Sequence, residues 1–168
     1  GYCHTLNEAL ELCKNMRDLW LKGLEKLLSI KEFYHDNPAR LADITLAEAI
    51  GLQMASTCNV LEFYSLREEM FYKKIDNLKA MAAIVKNEID NTAKMAILCQ
   101  EDCRLGYHSE AEGYHFYPAK LAERIKLLEE LLTEDFPKFT LDCQAVEKYI
   151  GKIIATEVAY IMKKILCL

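Results

Sequence analysis

Apolar residues recur at steps of three and four along nearly the whole chain, and that period restricts it to helices packed side by side. From Leu6 to about Phe33 the apolar positions are Leu6, Ala9, Leu10, Cys13, Met16, Trp20, Leu24, Leu27 and Leu28, with Thr5 or Asn7 as the cap. Pro38, after His35-Asp36-Asn37, is read as the stop, and Ala39 to Asp43 as a connector. Thr45 and Glu48 have capping-box spacing, so a second helix is expected from there to about Tyr72. Its inner face includes Leu46, Ile50, Met54, Thr57, Leu61, Tyr64 and Met70, and Ala47, Ala49, Gly51, Ala55 and Ser56 leave room for a neighbouring helix. A break over Lys73 to Asp76, capped by Asp76, leads to a third helix over about 77–103, with Leu78, Met81, Ala82, Val85, Ile89, Ala93, Ala96 and Ile97 inward. A fourth helix begins at Pro118, carries Leu121, Ile125, Leu128, Leu131 and Leu132, and is expected to end at Phe136-Pro137. A last helix is expected over 141–168, and strands nowhere. The fold class is all-α, an antiparallel bundle of four to five long helices.

Size and charge narrow the partners. The 168 residues suit one domain, 52% of them hydrophobic, or a piece of a longer multidomain protein. Acidic and basic residues interleave to a net charge of −5, which argues against nucleic acid, whose phosphates need a basic face. No apolar run is long enough for a membrane span. The seven cysteines cannot all pair within one chain. Cys58, Cys99 and Cys143 read as buried, while Cys99 and Cys103 stand one turn apart without a second close pair to complete a zinc site. Free thiols and the lack of a signal-like start point to the cytoplasm, or to the periplasm or exterior if an upstream signal has been removed.

One stretch departs from the helical pattern. Residues 101–118 hold two of the four histidines, four carboxylates, one arginine, two glycines and four aromatics. Such residues crowded on a connection are the usual material of a binding surface. The candidate ligand or domain contacts are Arg104, Tyr107, His108, Glu110, Glu112, Tyr114 and His115. Arg104 also has a structural reading: it can bond the carbonyls ending the third helix, or pair with Asp102 or Glu110. Glu112-Gly113-Tyr114-His115 has the Glu-x-x-His spacing of helical di-iron sites, but a second copy is missing, and Glu88 has Asn91 where a histidine would be needed. Glu110 and Glu112 are too close in sequence for a working acid/base pair across a cleft. No metal, cofactor or catalytic residue is assigned.

Asp102-Cys103-Arg104-Leu105-Gly106-Tyr107-His108-Ser109-Glu110, with Glu88-Ile89-Asp90-Asn91 upstream, resembles the helical region that follows the catalytic barrel in bacterial α-glucuronidase-like glycoside hydrolases. There a Glu-Ile-x-Asn helix leads into Asp-x-Arg-Leu-Gly, an acidic aromatic loop and a further helix. The likeness spans about residues 45–135, and Cys103 departs from the usual small polar residue. It implies a non-catalytic helical accessory domain that supports the catalytic domain of the same longer chain or a homodimer interface, with carbohydrate as a possible ligand. Two alternatives remain open: a stand-alone metal-binding protein or enzyme using the 104–117 loop, and a protein-interaction bundle.

Overall fold

The computed structural model describes residues 4–73, 75–108, 113–114 and 116–145, without the side chains of His108 and of residues 141–145. Residues 146–168 of the helix expected over 141–168 lie outside them. The fold is all-α: α1 (Leu6–Ser29), α2 (Pro38–Lys73), α3 (Leu78–Glu101) and α4 (Pro118–Glu130) follow one another, each packed on the one before. A capping box starts α1: the Thr5 hydroxyl accepts from the Glu8 backbone N–H at 3.3 Å, and the Glu8 carboxylate accepts from the Thr5 N–H at 2.7 Å. Lys31–Tyr34 tighten into a single 3₁₀ turn.

Two boundaries differ from expectation, both at prolines. Pro38 opens α2 rather than closing α1. Its fixed φ suits a first helical turn, and the Asn37 side chain accepts from the Arg40 N–H at 3.2 Å. Thr45 is therefore inside the helix, where its hydroxyl bonds back to the Leu41 carbonyl at 3.1 Å. The result is a helix of 36 residues, about 54 Å long. Pro137, in turn, does not end the fourth helix. A π turn over Leu131–Asp135 carries the chain on into α5 (Phe136–Ala145). A proline has no N–H and crowds the carbonyl four residues back; the widened turn just before Pro137 makes room for it. A break follows Lys73 as expected, but the cap is shifted: Asn77 holds the N-cap position without a side-chain bond, and Asp76 before it accepts from the Leu78 N–H at 3.1 Å.

The packed face of α2 is the small-residue one. Ala47, Ala49 and Gly51 are buried, while Leu46 is 50% exposed. Trp20 of α1 donates from its indole N–H to the Ala47 carbonyl at 2.9 Å, and a Cβ on Gly51 would sit 3.4 Å from the Trp20 ring. Alanine and glycine thus let α1 lie close against α2. No residue of α1 is fully buried, so the apolar positions expected to make it a core helix only half-cover it. Ile97, expected inward on α3, is exposed as well.

Two apolar clusters fill the space between α2, α3 and α4. One joins Phe63, Met81, Val85, Leu128, Leu131 and Phe136; the other joins Ala49, Met95, Cys99 and Leu121, with Leu105 and Phe116 packed against it. Between these clusters each of the three helices also turns polar residues inward: Ser56 and Asn59 on α2, Glu88, Asn91 and Thr92 on α3, Arg124 on α4.

Candidate functional site

The heptad-like seams of the three helices carry polar side chains at matching heights. On α3 the seam runs Met81, Val85, Glu88, Thr92, Met95, Cys99; on α4 it runs Leu121, Arg124, Leu128, Leu131; on α2 it runs Leu52, Ser56, Asn59, Phe63. Core packing therefore draws Glu88 and Arg124 inward, leaving only 4% and 7% of their surfaces exposed. Arg124 Nη2 donates to Glu88 Oε1 at 2.8 Å, and the Ser56 hydroxyl donates to the same oxygen at 2.6 Å. Asn59 Nδ2 donates to Glu88 Oε2 at 2.7 Å. One carboxylate thus ties α2, α3 and α4 together, as burial of a charge requires. Beside it Asn91 Nδ2 donates to the Leu52 carbonyl at 2.9 Å.

This polar layer is the floor of a cleft of about 460 Å³, a volume within the range of roughly 300–1,000 Å³ usual for small-molecule sites. Ser56, Thr57, Glu88, Asn91, Thr92 and Arg124 supply its polar lining; Leu105, Tyr107 and Phe116 line it from the connection between α3 and α4. Arg124 Nε is buried on this floor with no acceptor among the described residues. A buried N–H without a partner costs about 1–3 kcal/mol, and more when the group is charged.

The connection from α3 to α4 forms the lip. Cys103–Gly106 make a 3₁₀ turn, after which Tyr107–His108 and Gly113–Tyr114 pair antiparallel, a short ribbon where no strand was expected. Gly106 fixes its position. Its carbonyl accepts from the Phe116 N–H at 3.2 Å, and a Cβ at this site would lie 1.8 Å from the Phe116 carbonyl oxygen. Only glycine allows that approach. Across the ribbon, Tyr107 and Tyr114 stack edge-to-face with centroids 5.5 Å apart, both half-exposed.

The sequence-derived candidates divide. Tyr107 lines the cleft, and Tyr114 stands against it as its cross-strand partner. Arg104 is 75% exposed on its side chain, is not part of the cleft wall, and forks onto Asp102 at 2.8 and 2.6 Å. Those bonds, with one from the Arg104 backbone N–H, hold the Asp102 carboxyl below its ordinary value. Of the readings open for Arg104, the Asp102 pair is formed among the described residues. Glu110, Glu112 and His115 lie outside the described residues, as does the His108 side chain. Cys99 is buried and Cys103 exposed, so the two thiols one turn apart do not share an environment. No three metal-binding side chains gather among the described residues, and no helix there is long and apolar enough to cross a membrane.

Sequence reasoning passed over the floor itself. Glu88 and Asn91 enter the sequence reading as parts of a histidine-containing metal motif and of the Glu-Ile-x-Asn resemblance, and Arg124 does not enter it. The signal was present nonetheless: a glutamate and an arginine sit on seams otherwise built from apolar and small residues. Comparison of the chain with protein families, with curated proteins and with solved structures gives no match.

Proposed function

We propose that this chain is a non-catalytic helical module of a carbohydrate-processing protein, one that contacts the glycan through the cleft beneath the Tyr107–Tyr114 ribbon. The observation that carries this reading is the make-up of the cleft: hydroxyl, amide and guanidinium groups on its floor, an aromatic lip at its mouth. Sugars offer the matching surfaces, hydroxyls around the ring and apolar C–H faces that rest on aromatic rings. The resemblance of 102–110 to the helical region of α-glucuronidase-like hydrolases supports the same reading. Of the residues that carry it, Glu88, Asn91 and Leu105 line the cleft and Gly106 holds the ribbon beside it, whereas Asp102 and Arg104 pair with each other outside it.

A supporting role for a catalytic domain in the same longer chain accords with α1. Leu12, Met16, Leu19, Leu27 and Ile30 form one stripe along it and are all exposed. A stripe of that kind marks a surface made to be covered.

Native gels cast with xylan, mannan or β-glucan test the proposal, alongside assays for new reducing ends. The expected result is retarded migration in at least one gel without release of reducing ends. Migration unchanged in all gels would remove the carbohydrate reading, and hydrolysis by the isolated chain would remove the non-catalytic one.

A further inference from the structure

We infer that the Glu88–Arg124 pair reads a hydroxyl of an uncharged sugar, accepting and donating through a single ligand oxygen. The inference rests on the carbohydrate reading above and specifies the ligand. It starts from the donor balance of the floor. A guanidinium has five N–H groups in a rigid plane. Glu88 engages Arg124 through Nη2 alone, and Nε beside it has no acceptor. The carboxylate is also incompletely used. Its Oε1 takes two donors, from Ser56 and Arg124, whereas Oε2 takes one, from Asn59. A carboxylate offers about four acceptor positions, so one remains.

The floor therefore has a buried donor, Nε–H, and one carboxylate acceptor position to spare, on paired groups. A hydroxyl oxygen meets both needs with one atom, accepting from Nε–H and donating toward Glu88. An ammonium cannot accept from Nε. A carboxylate cannot donate, and a carboxylate or phosphate would bring a second anion beside Glu88, where the first is already matched by Arg124. Charge balance and hydrogen-bond balance point to the same class, a neutral polyol. Asn91 and Thr92 on the same wall extend the polar surface to neighbouring ring hydroxyls, and Tyr107 lies at the rim for the C–H face. Nε has no exposed surface, so the contact requires the guanidinium of Arg124, which lines the cleft, to turn toward the ligand oxygen.

The arginine Nε–H resonance of Arg124 reports this contact directly in ¹H–¹⁵N spectra of the unaltered chain. Methyl glycosides of glucose, galactose, mannose and xylose are titrated separately, with sodium glucuronate and sodium phosphate as anionic counterparts. The inference predicts that one or more neutral glycosides shift the Arg124 signal and slow its exchange with water, while the anions do not. Arg124→Lys keeps the positive charge opposite Glu88 but has no Nε, and it should weaken the same glycoside about tenfold or more. A shift produced only by glucuronate or phosphate overturns the neutral-ligand assignment. An unmoved Nε signal in a chain that is still retarded by a polysaccharide overturns the role of Arg124 and leaves the carbohydrate reading standing. Loss of both retardation and shift overturns both.

Discussion

Cutting the buried ion pair from one side is the sharpest test of how the three inner helices are held. In Arg124→Met the apolar stem is kept and the charge removed. Glu88 then stays buried with Ser56 and Asn59 as its remaining donors. Removing one partner of a buried pair costs about 3–5 kcal/mol, and the two surviving hydrogen bonds place this variant near the lower end. Glu88→Gln preserves shape but leaves a buried guanidinium without its anion, with Nε already lacking an acceptor; it should fall near the upper end. The double variant relieves the uncompensated charge and should cost less than the two single changes added together, by roughly 2 kcal/mol or more. Urea unfolding of the four proteins at pH 7 gives the cycle. If Arg124→Met unfolds within about 1 kcal/mol of the parent, or the two changes simply add, the pair is not the clamp its geometry describes.

Two glycines should respond oppositely to alanine. At Gly51 the new methyl meets side chains of Trp20, Leu21 and Leu24 at 3.4–3.5 Å, ordinary contact, and helix propensity then favours the variant by up to about 1 kcal/mol; at Gly106 the methyl meets backbone at 1.8 Å and should displace the ribbon, with loss of the Phe116 N–H bond and changed tyrosine near-ultraviolet dichroism. Equal melting temperatures for the two variants would contradict both arguments. Thiol labelling followed site by site should find Cys103 reactive in the native protein and Cys58 and Cys99 protected until unfolding, since burial raises both of those thiols; native labelling of Cys99 as fast as Cys103 would contradict the packing of α3. The carboxyls of Glu8, Glu69 and Asp102 are held below their ordinary values, 4.5 for Glu and 3.8 for Asp, by bonds from Thr5, Lys73 and Arg104 respectively. Their contribution is complete above those ordinary values and is lost as pH falls through the lower folded ones. Asp102→Asn should therefore flatten the acid limb of stability below about pH 4, and an unaltered limb would count against the Asp102–Arg104 fork.

The helical class was legible because its signal is repeated along the chain: three-four spacing on α1 through α4 leaves little room for another backbone. A boundary was legible at Pro118, which opens α4. Others failed at Pro38 and Pro137, because proline serves both to end a helix and to begin one, and a π turn accommodates it within a longer helix. The aromatic loop was correctly singled out as unlike its surroundings, yet Arg104, its one arginine, turned out to fork onto Asp102 at the surface. The floor of the cleft was harder to see. Its residues come from α2, α3 and α4, so no local motif contains them. What the sequence did carry was the placement of Ser56, Glu88 and Arg124 on core seams, a pattern that acquires meaning once the three helices are put side by side. The opposition of two tyrosines across a two-residue ribbon depends on Gly106 meeting Phe116, a contact between residues ten apart that periodicity does not encode.

Chemical-shift mapping of the whole backbone during titration with a retarding oligosaccharide tests the central claim most directly. If the cleft is the glycan site, the amides that move gather at Ser56, Asn91, Thr92, Tyr107 and Phe116, around one concave surface. Shifts confined to the open stripe of α1, or none at saturating sugar, would contradict it.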